Sequence, residues 1–179
     1  SPQELITNGL LDLSSRLAEY KKQGAAFIKW RACISIDGDR LPTTVAIHEN
    51  VKRLAAYAKE SQMVGLVPIV EPEVLHEGNH SRQRALSVTE ETLGALFSAL
   101  EEQSVDRASL ILKTSMVLSG SMSNKHDTPE EIAEDTLAAL MQSVPRQVAG
   151  IVFLSGGQTP EEATDNLAAI TRRAKSIHA

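Results

Sequence analysis

The amino-acid sequence predicts a single α/β domain of the (β/α)8 TIM-barrel type over residues 1–179, with about four βα units present. Short apolar runs rich in β-branched residues alternate with longer segments of helical periodicity. The apolar runs are continuous, which is typical of a parallel sheet covered by helices. The repeating unit of about forty residues suits a somewhat enlarged barrel.

The predicted strands are the four apolar runs, each of which follows a glycine or a polar turn. They cover residues 25–36, 65–70, 108–117 and 150–154. We expect the second strand to stop at Pro72, because proline cannot donate a hydrogen bond to a sheet ladder.

The predicted helices follow the strands. Apolar residues recur at helical spacing within residues 45–58 and 88–100. Residues 128–131 and 159–162 both spell Thr-Pro-Glu-Glu, which places threonine at the N-cap, proline at the first helical position and glutamate three residues after the cap. This alternation alone is compatible with either a barrel or an open doubly wound sheet.

The spacing of polar residues favours the barrel. Lys29, Glu71, Lys113 and Ser155 lie in or just after successive predicted strands and follow one another at intervals of 42 residues. Because catalytic groups of such barrels lie at the carboxyl ends of the strands, we expect these four residues there.

Charge and hydropathy exclude several classes of partner. The net charge of −5 and a pI of about 5.6 argue against nucleic-acid binding, which needs clustered lysine and arginine. No apolar stretch approaches the roughly 20 residues that span a bilayer, and the first residues do not resemble a signal peptide. We therefore expect a cytoplasmic protein without a membrane partner.

Five charged residues on neighbouring strands indicate a chemical site. A period of two places Lys29 and Arg31 on one face of their strand, and Glu71 and Glu73 on one face of the next. Lys113 ends an apolar run, where an ammonium group is costly unless it is paired or deprotonated. A nucleophilic amine, nearby cations that favour its neutral form and carboxylates that move protons are what imine chemistry requires.

The alternative interpretation is a polar barrel layer of structural ion pairs. That reading explains any single lysine better than catalysis does. The convergence of five charged groups at strand ends favours a functional site, since charges are rarely buried without a reason.

A second candidate site follows the last strand. Ser155, Gly156 and Gly157 precede the helix capped at Thr159. Glycines allow backbone N–H groups to turn inward as an anion nest near a helix N-terminus, and this position in many barrels binds phosphate. A Gly-Gly pair by itself is more often only a turn.

These motifs resemble class I, Schiff-base-forming fructose-1,6-bisphosphate aldolases over nearly the whole chain, in order and in spacing. The matching segments are residues 27–31, 65–73, 112–113 with 116–117, and 150–158. The most specific are the strand with both glutamates and the Leu-Ser-Gly-Gly-Gln turn.

The resemblance implies a role for each candidate residue. Lys113 would form the imine, Glu71 would be the general acid and base, and Lys29 would support Glu71. Glu73 would orient Lys113, and Arg31 would lie near a substrate phosphate or a carboxylate. Ser155 and Gly156, with Gly157, would bind the C1 phosphate. No cofactor or metal is expected, because the iminium itself withdraws electrons.

Departures from the family pattern also matter. Thr114-Ser115 and Leu118-Ser119 stand where the family commonly has Pro-Asn and Thr-Pro. The matched region corresponds to the fourth to seventh family strands. The first three strands, with a catalytic aspartate and a further lysine, and the eighth, with a phosphate-binding arginine, have no counterpart. We expect them to come from a partner copy in a homo-oligomer or from the remainder of the same barrel.

A motif that spells HExxH, at residues 76–80, is predicted to be a loop rather than a zinc site. That motif needs a helix to stack its histidines, and Gly78-Asn79 after Glu-Pro disfavours one.

The leading functional hypothesis is a lyase that acts on a phosphorylated sugar, fructose 1,6-bisphosphate, in glycolysis. Two alternatives remain. One is a non-catalytic barrel fragment that has lost activity with its missing strands, and the other is a different imine-forming sugar lyase.

Overall fold

The computed structural model describes residues 4–177, in which helices and strands alternate. A 3-10 turn at Arg107–Ser109 precedes the third strand. In chain order the elements are α1 (Leu13–Lys22), β1 (Phe27–Ile34), α2 (Thr44–Met63), β2 (Val67–Val74), α3 (Arg82–Glu102), β3 (Ile111–Thr114), α4 (Pro129–Ser143), β4 (Gly150–Phe153) and α5 (Pro160–Ile177).

The four strands form one parallel sheet in the order β1-β2-β3-β4. This sequential order is that of a barrel, whereas a doubly wound sheet reverses its order at a switch point. The predicted α/β fold, present as four strands of a partial barrel, is therefore confirmed.

The two faces of the sheet differ in composition because side chains alternate along each strand. On one face Val70 and Leu112 are fully buried, and Trp30 packs against Tyr57 of α2 with ring centroids 5.2 Å apart. The opposite face carries the charged residues of β1, β2 and β3. The helices thus leave one face for the candidate site.

We predicted that the second strand stops at Pro72, but it continues to Val74 beside β1. The amides of Val67 and Leu75 donate to Ala26 and Ile34 on the β1 side. Backbone N–H groups alternate between the two sides of a strand, so the nitrogen of Pro72 points toward β3. The pairing of β2 with β3 covers only Ile69 and Val70. The missing N–H therefore breaks no ladder hydrogen bond.

Both predicted helix starts are confirmed. Thr128 forms a capping box with Glu131 at the start of α4. At the start of α5, Thr159 Oγ1 accepts from the Glu162 amide at 3.2 Å, and Glu162 Oε2 accepts from the Thr159 amide at 2.8 Å. The sequence analysis did not identify α1, whose Leu13 and Leu17 are buried.

The sheet is open at β4. Ile151, Val152 and Leu167 are partly exposed there, and a groove of about 780 Å³ runs along β4, α4 and α5. Its lining is predominantly apolar. Among residues 4–177, none of the helices combines the length and the apolar character required to cross a bilayer.

Candidate active site

The centre of the charged face is Glu71, whose carboxylate lies between two lysines. Lys29 Nζ of β1 is 2.8 Å from Glu71 Oε2, and Lys113 Nζ of β3 is 3.0 Å from Oε1. Glu71 is 3% exposed, whereas the side chains of Lys29 and Lys113 are 43% and 30% exposed. The lysines therefore cover the carboxylate while their ammonium groups remain accessible.

The environment of Glu71 keeps it ionised. Burial works to raise the pKa of Glu71, because it disfavours the charged form. The contacts with Lys29 and Lys113 and their positive charges outweigh burial, so the pKa of Glu71 lies below its ordinary value. At neutral pH this group is therefore a carboxylate that contacts both lysines.

The second pair of opposite charges is Arg31 and Glu73. Arg31 NH1 donates to Glu73 Oε2 at 2.8 Å, and the negative charge of Glu73 is the main cause that raises the pKa of Arg31. The resemblance implied that Glu73 orients Lys113, but Glu73 contacts Arg31, and Glu71 contacts Lys113. The expected carboxylate partner of Arg31 is thus Glu73.

We predicted that the candidate residues lie at strand ends, but not all of them do. Lys29 is the third residue of the eight in β1 and lies beside Ile69. Its long side chain reaches Glu71, two residues further along β2. Lys113 is the third of four residues in β3, and Ser155 follows the end of β4. Equal spacing in sequence therefore does not place these residues at one level of the sheet.

The chain after β4 forms a tight turn with two glycines at its centre. Gly156 and Gly157 have φ angles of 59° and 87°, which side chains disfavour. The Gln158 amide donates to Ser155 O at 3.2 Å and closes the turn. Within residues 4–177, the amides of Gly156 and Gly157 make no internal hydrogen bond, so both remain available to an anion.

This turn begins beside the strand that carries Lys113. Lys113 and Val152 are neighbours in the β3–β4 register, and the Leu154 amide donates to Thr114 O at 3.1 Å. Ser155, which is exposed, is the next residue. The ladder between β3 and β4 thus connects the candidate imine lysine to the candidate phosphate turn.

The serines at the departures from the family pattern hold the loop after β3. Ser115 Oγ donates to Val74 O of β2 at 2.8 Å. The amide of Ser119 donates to Asp127 Oδ2 at 2.7 Å, and its hydroxyl donates to Oδ1 at 3.1 Å. Arg82 Nε donates to the same Asp127 at 3.1 Å. These contacts fix the path of the chain directly after Lys113.

Residues 76–80 form a loop between β2 and α3, as predicted. His80 is buried, and burial lowers its pKa. In the part of the chain that the structure describes, no group of three or more His, Cys, Asp or Glu side chains is arranged to hold a metal ion.

His76 Nδ1 lies 3.0 Å from Gly156 O. The sequence analysis missed this contact, because nothing local links residues 80 positions apart.

Comparisons with known proteins identify the family of the chain. The profile of the family described as "Fructose-bisphosphate aldolase class-I" matches residues 1–177. A probable class 1 fructose-bisphosphate aldolase of Xylella fastidiosa is 49% identical over 171 residues, which cover 96% of this chain and 51% of that protein. Human fructose-bisphosphate aldolase C is 48% identical over 169 residues, or 94% of this chain and 46% of that protein.

The structural comparison gives the same result. A fructose-bisphosphate aldolase from Plasmodium falciparum superposes with a TM-score of 0.92 and 42% identity, over 95% of this chain and 49% of that one. The chain therefore spans about half the length of the relatives that it matches. By sequence and by fold, the chain belongs to the class I fructose-bisphosphate aldolase family.

Proposed function

We propose that this chain carries the imine-forming part of a class I aldolase site. The reaction is the reversible cleavage of fructose 1,6-bisphosphate to dihydroxyacetone phosphate and glyceraldehyde 3-phosphate, a step of glycolysis. The observation that carries the proposal is the buried Glu71 carboxylate between the Nζ atoms of Lys29 and Lys113. The names of the relatives support the choice of substrate.

Lys113 is the nucleophile by the family resemblance, and the contact of its Nζ with Glu71 and its accessible side chain suit that role. Glu71 takes a proton from the Lys113 ammonium, and the neutral amine attacks the C2 carbonyl to form a carbinolamine. Loss of the Lys113 charge removes one of the causes that lower the pKa of Glu71, whereas burial remains. The protonated Glu71 is then suited to protonate the departing hydroxyl, which leaves as water.

The protonated imine accepts the electron pair that is released when the bond between C3 and C4 breaks. Lys29 contacts the other oxygen of the Glu71 carboxylate. Glu73 and Arg31 form the neighbouring ion pair on the same face. Arg31 is half exposed and can turn toward a substrate phosphate.

Ser155 and the amides of Gly156 and Gly157 bind the phosphate on C1 in this proposal. The consecutive positive φ angles and the free amides support this assignment. The turn follows the strand next to Lys113, which suits a substrate whose phosphate is one carbon away from the reacting carbonyl.

The complete site requires further barrel strands in this proposal. They would lie beside the open sheet edges and come from the remainder of the same barrel or from another copy in a homo-oligomer. The partly exposed apolar residues of β4 support such a neighbour. The predicted cytoplasmic location also remains a proposal, and fractionation of cells that express the natural protein tests it.

A non-catalytic barrel fragment is the second candidate, because residues 4–177 form only four strands of the sheet. In that case the chain would fold and associate without forming an imine. Another imine-forming sugar lyase would form the imine without needing a bisphosphate.

Borohydride trapping with dihydroxyacetone phosphate, followed by peptide mass mapping, separates these candidates. We expect an adduct on the Lys113 peptide that is lost in Lys113→Ala and kept in Lys52→Ala, which changes an exposed lysine of α2. Folded protein without any adduct would contradict the proposed catalysis. Equal trapping of unphosphorylated dihydroxyacetone would favour the other lyase.

A further inference from the structure

His76 connects two loops that are distant in sequence. It lies between β2 and α3, and its Nδ1 is 3.0 Å from the carbonyl oxygen of Gly156 in the turn after β4. A carbonyl oxygen can only accept a hydrogen bond, so Nδ1 carries the proton and His76 is the donor. The imidazole is half-buried, which protects this bond from water on one side.

The backbone of the loop that contains His76 is held by hydrogen bonds from the loop between β3 and α4. The amide of Ser121 donates to His76 O, and the amide of Met122 donates to Gly78 O, both at 2.8 Å. Gly120 packs so closely that a Cβ there would lie 2.3 Å from Gly78 O. The donor at His76 is therefore attached to a well-anchored segment.

The peptide between Gly156 and Gly157 needs such an anchor. Both residues are glycines with positive φ, and glycine enters regions of either sign of φ at little cost. A flip of this peptide would exchange the directions of the Gly156 carbonyl and the Gly157 N–H. Because a trans peptide points these two groups in opposite directions, the bond from His76 to the carbonyl also fixes the direction of the N–H.

We infer that His76 is a positioning residue of the phosphate-binding turn, which it holds with the Gly157 N–H directed toward the anion. The inference rests on the proposed function, since it takes this turn as the phosphate site. His76 acts through its hydrogen bond to Gly156 and does not itself touch the phosphate. Preorganised donors bind an anion more tightly than donors that must first be ordered.

Direct contact between the imidazole and the anion is the competing explanation. His76 also lines an open cavity of about 330 Å³, together with Lys125 and His126. Two substitutions separate the explanations. In His76→Asn the side-chain amide nitrogen can occupy the place of Nδ1 without any charge, whereas in His76→Gln it is one carbon further out.

The experiment is a titration of the full 15N-labelled chain with inorganic phosphate, read at the amide resonances of Gly156 and Gly157. We expect His76→Ala to weaken phosphate binding about fivefold, as the loss of one hydrogen bond predicts. His76→Asn is expected to remain within about twofold of wild type and His76→Gln to resemble His76→Ala. His48→Ala, an exposed histidine of α2, is the matched control and should change nothing.

Borohydride trapping adds a readout that a purely structural role would not move. His76→Ala should lower trapping of dihydroxyacetone phosphate at limiting concentration and leave trapping of unphosphorylated dihydroxyacetone unchanged. Amide spectra outside the turn verify that each variant is folded.

Three results would overturn the inference: unchanged phosphate affinity in His76→Ala, equal losses in His76→Asn and His76→Ala, or phosphate shifts at Lys125 and His126 instead of the glycines. Failure of the proposed function gives a different pattern. Phosphate binding that depends on His76 without any adduct at Lys113 would contradict the imine chemistry alone. An adduct at Lys113 together with phosphate binding at the turn that does not depend on His76 would contradict the inference alone.

Discussion

Lys113 Nζ lies 3.0 Å from Glu71 Oε1, although the two residues come from separate strands. The base that would activate the lysine is therefore already in hydrogen-bonding range in the free chain. Lys29 contacts the other oxygen of the same carboxylate at 2.8 Å.

Glu71→Gln should slow imine formation about 10²- to 10⁴-fold, because the amide keeps the shape of the side chain but cannot accept and return a proton. Single-turnover borohydride trapping with dihydroxyacetone phosphate measures the rate. The matched control is Glu73→Gln, which changes the neighbouring carboxylate that pairs with Arg31. A smaller decrease is expected there, and equal losses in both variants would contradict the role of Glu71.

The stabilising contribution of Glu71 should disappear in acid. Its pKa is lower in the folded chain than the ordinary value, so folding favours the ionised form. The contribution is full above the unfolded-state pKa and is lost as the pH falls through the lower, folded-state pKa. Urea unfolding of wild type and Glu71→Gln as a function of pH measures the difference, which should shrink on acidification. A difference that is constant with pH would refute this linkage.

Gly156→Ala should destabilise the turn by about 1–2 kcal/mol, since an alanine is strained at a φ of 59°. Its Cβ would also lie 3.1 Å from Leu154 Cδ1. We expect weaker binding of inorganic phosphate as well. Gly150→Ala is the control, because no atom lies within 4 Å of a Cβ at that position. Denaturant unfolding and a phosphate titration measure both effects, and similar results at the two glycines would contradict the assignment of the turn.

Arg82→Met should destabilise the chain by about 3 kcal/mol or more, because it leaves partly buried carboxylates without their cation. The Arg82 side chain is 14% exposed and pairs with Asp127, Glu131 and Asp135. The control is Arg172→Met, which removes an ion pair whose arginine is 67% exposed and should cost about 1 kcal/mol or less.

Hydrogen exchange locates the effect of Arg82→Met. Asp127 also accepts from the amide of Ser119, so this amide should lose protection. An unchanged exchange rate at Ser119 would show that Arg82 does not hold the loop after β3.

Local patterns predicted most of the fold. The Thr-Pro-Glu-Glu segments placed the starts of α4 and α5 because capping uses residues within four positions of one another. Alternation correctly placed Lys29 and Arg31 on one face. The end of β2 was predicted wrongly, since the tolerance for Pro72 depends on which side of the strand has a neighbour.

Pairing within the site was less predictable. Residue types and strand order indicated that Lys29, Glu71 and Lys113 belong together, and the structure brings them into contact. The partner of Glu73 was not predictable, because it depends on the relative shift of two strands. The register places Arg31 beside Glu71 and Cys33 beside Glu73. Arg31 contacts Glu73 only because its long side chain extends two residues further along β2.

The amino-acid sequence by itself specified the alternation of strands and helices, the helix caps and the residue types of the candidate imine site, because each depends on short-range periodicity or local chemistry. Tertiary structure alone determined that the buried Glu71 carboxylate contacts both Lys29 and Lys113. It also determined that His76 contacts the turn after β4. These contacts join segments 42 or more residues apart. Their geometry depends on strand register and loop packing, which no local pattern in the chain encodes.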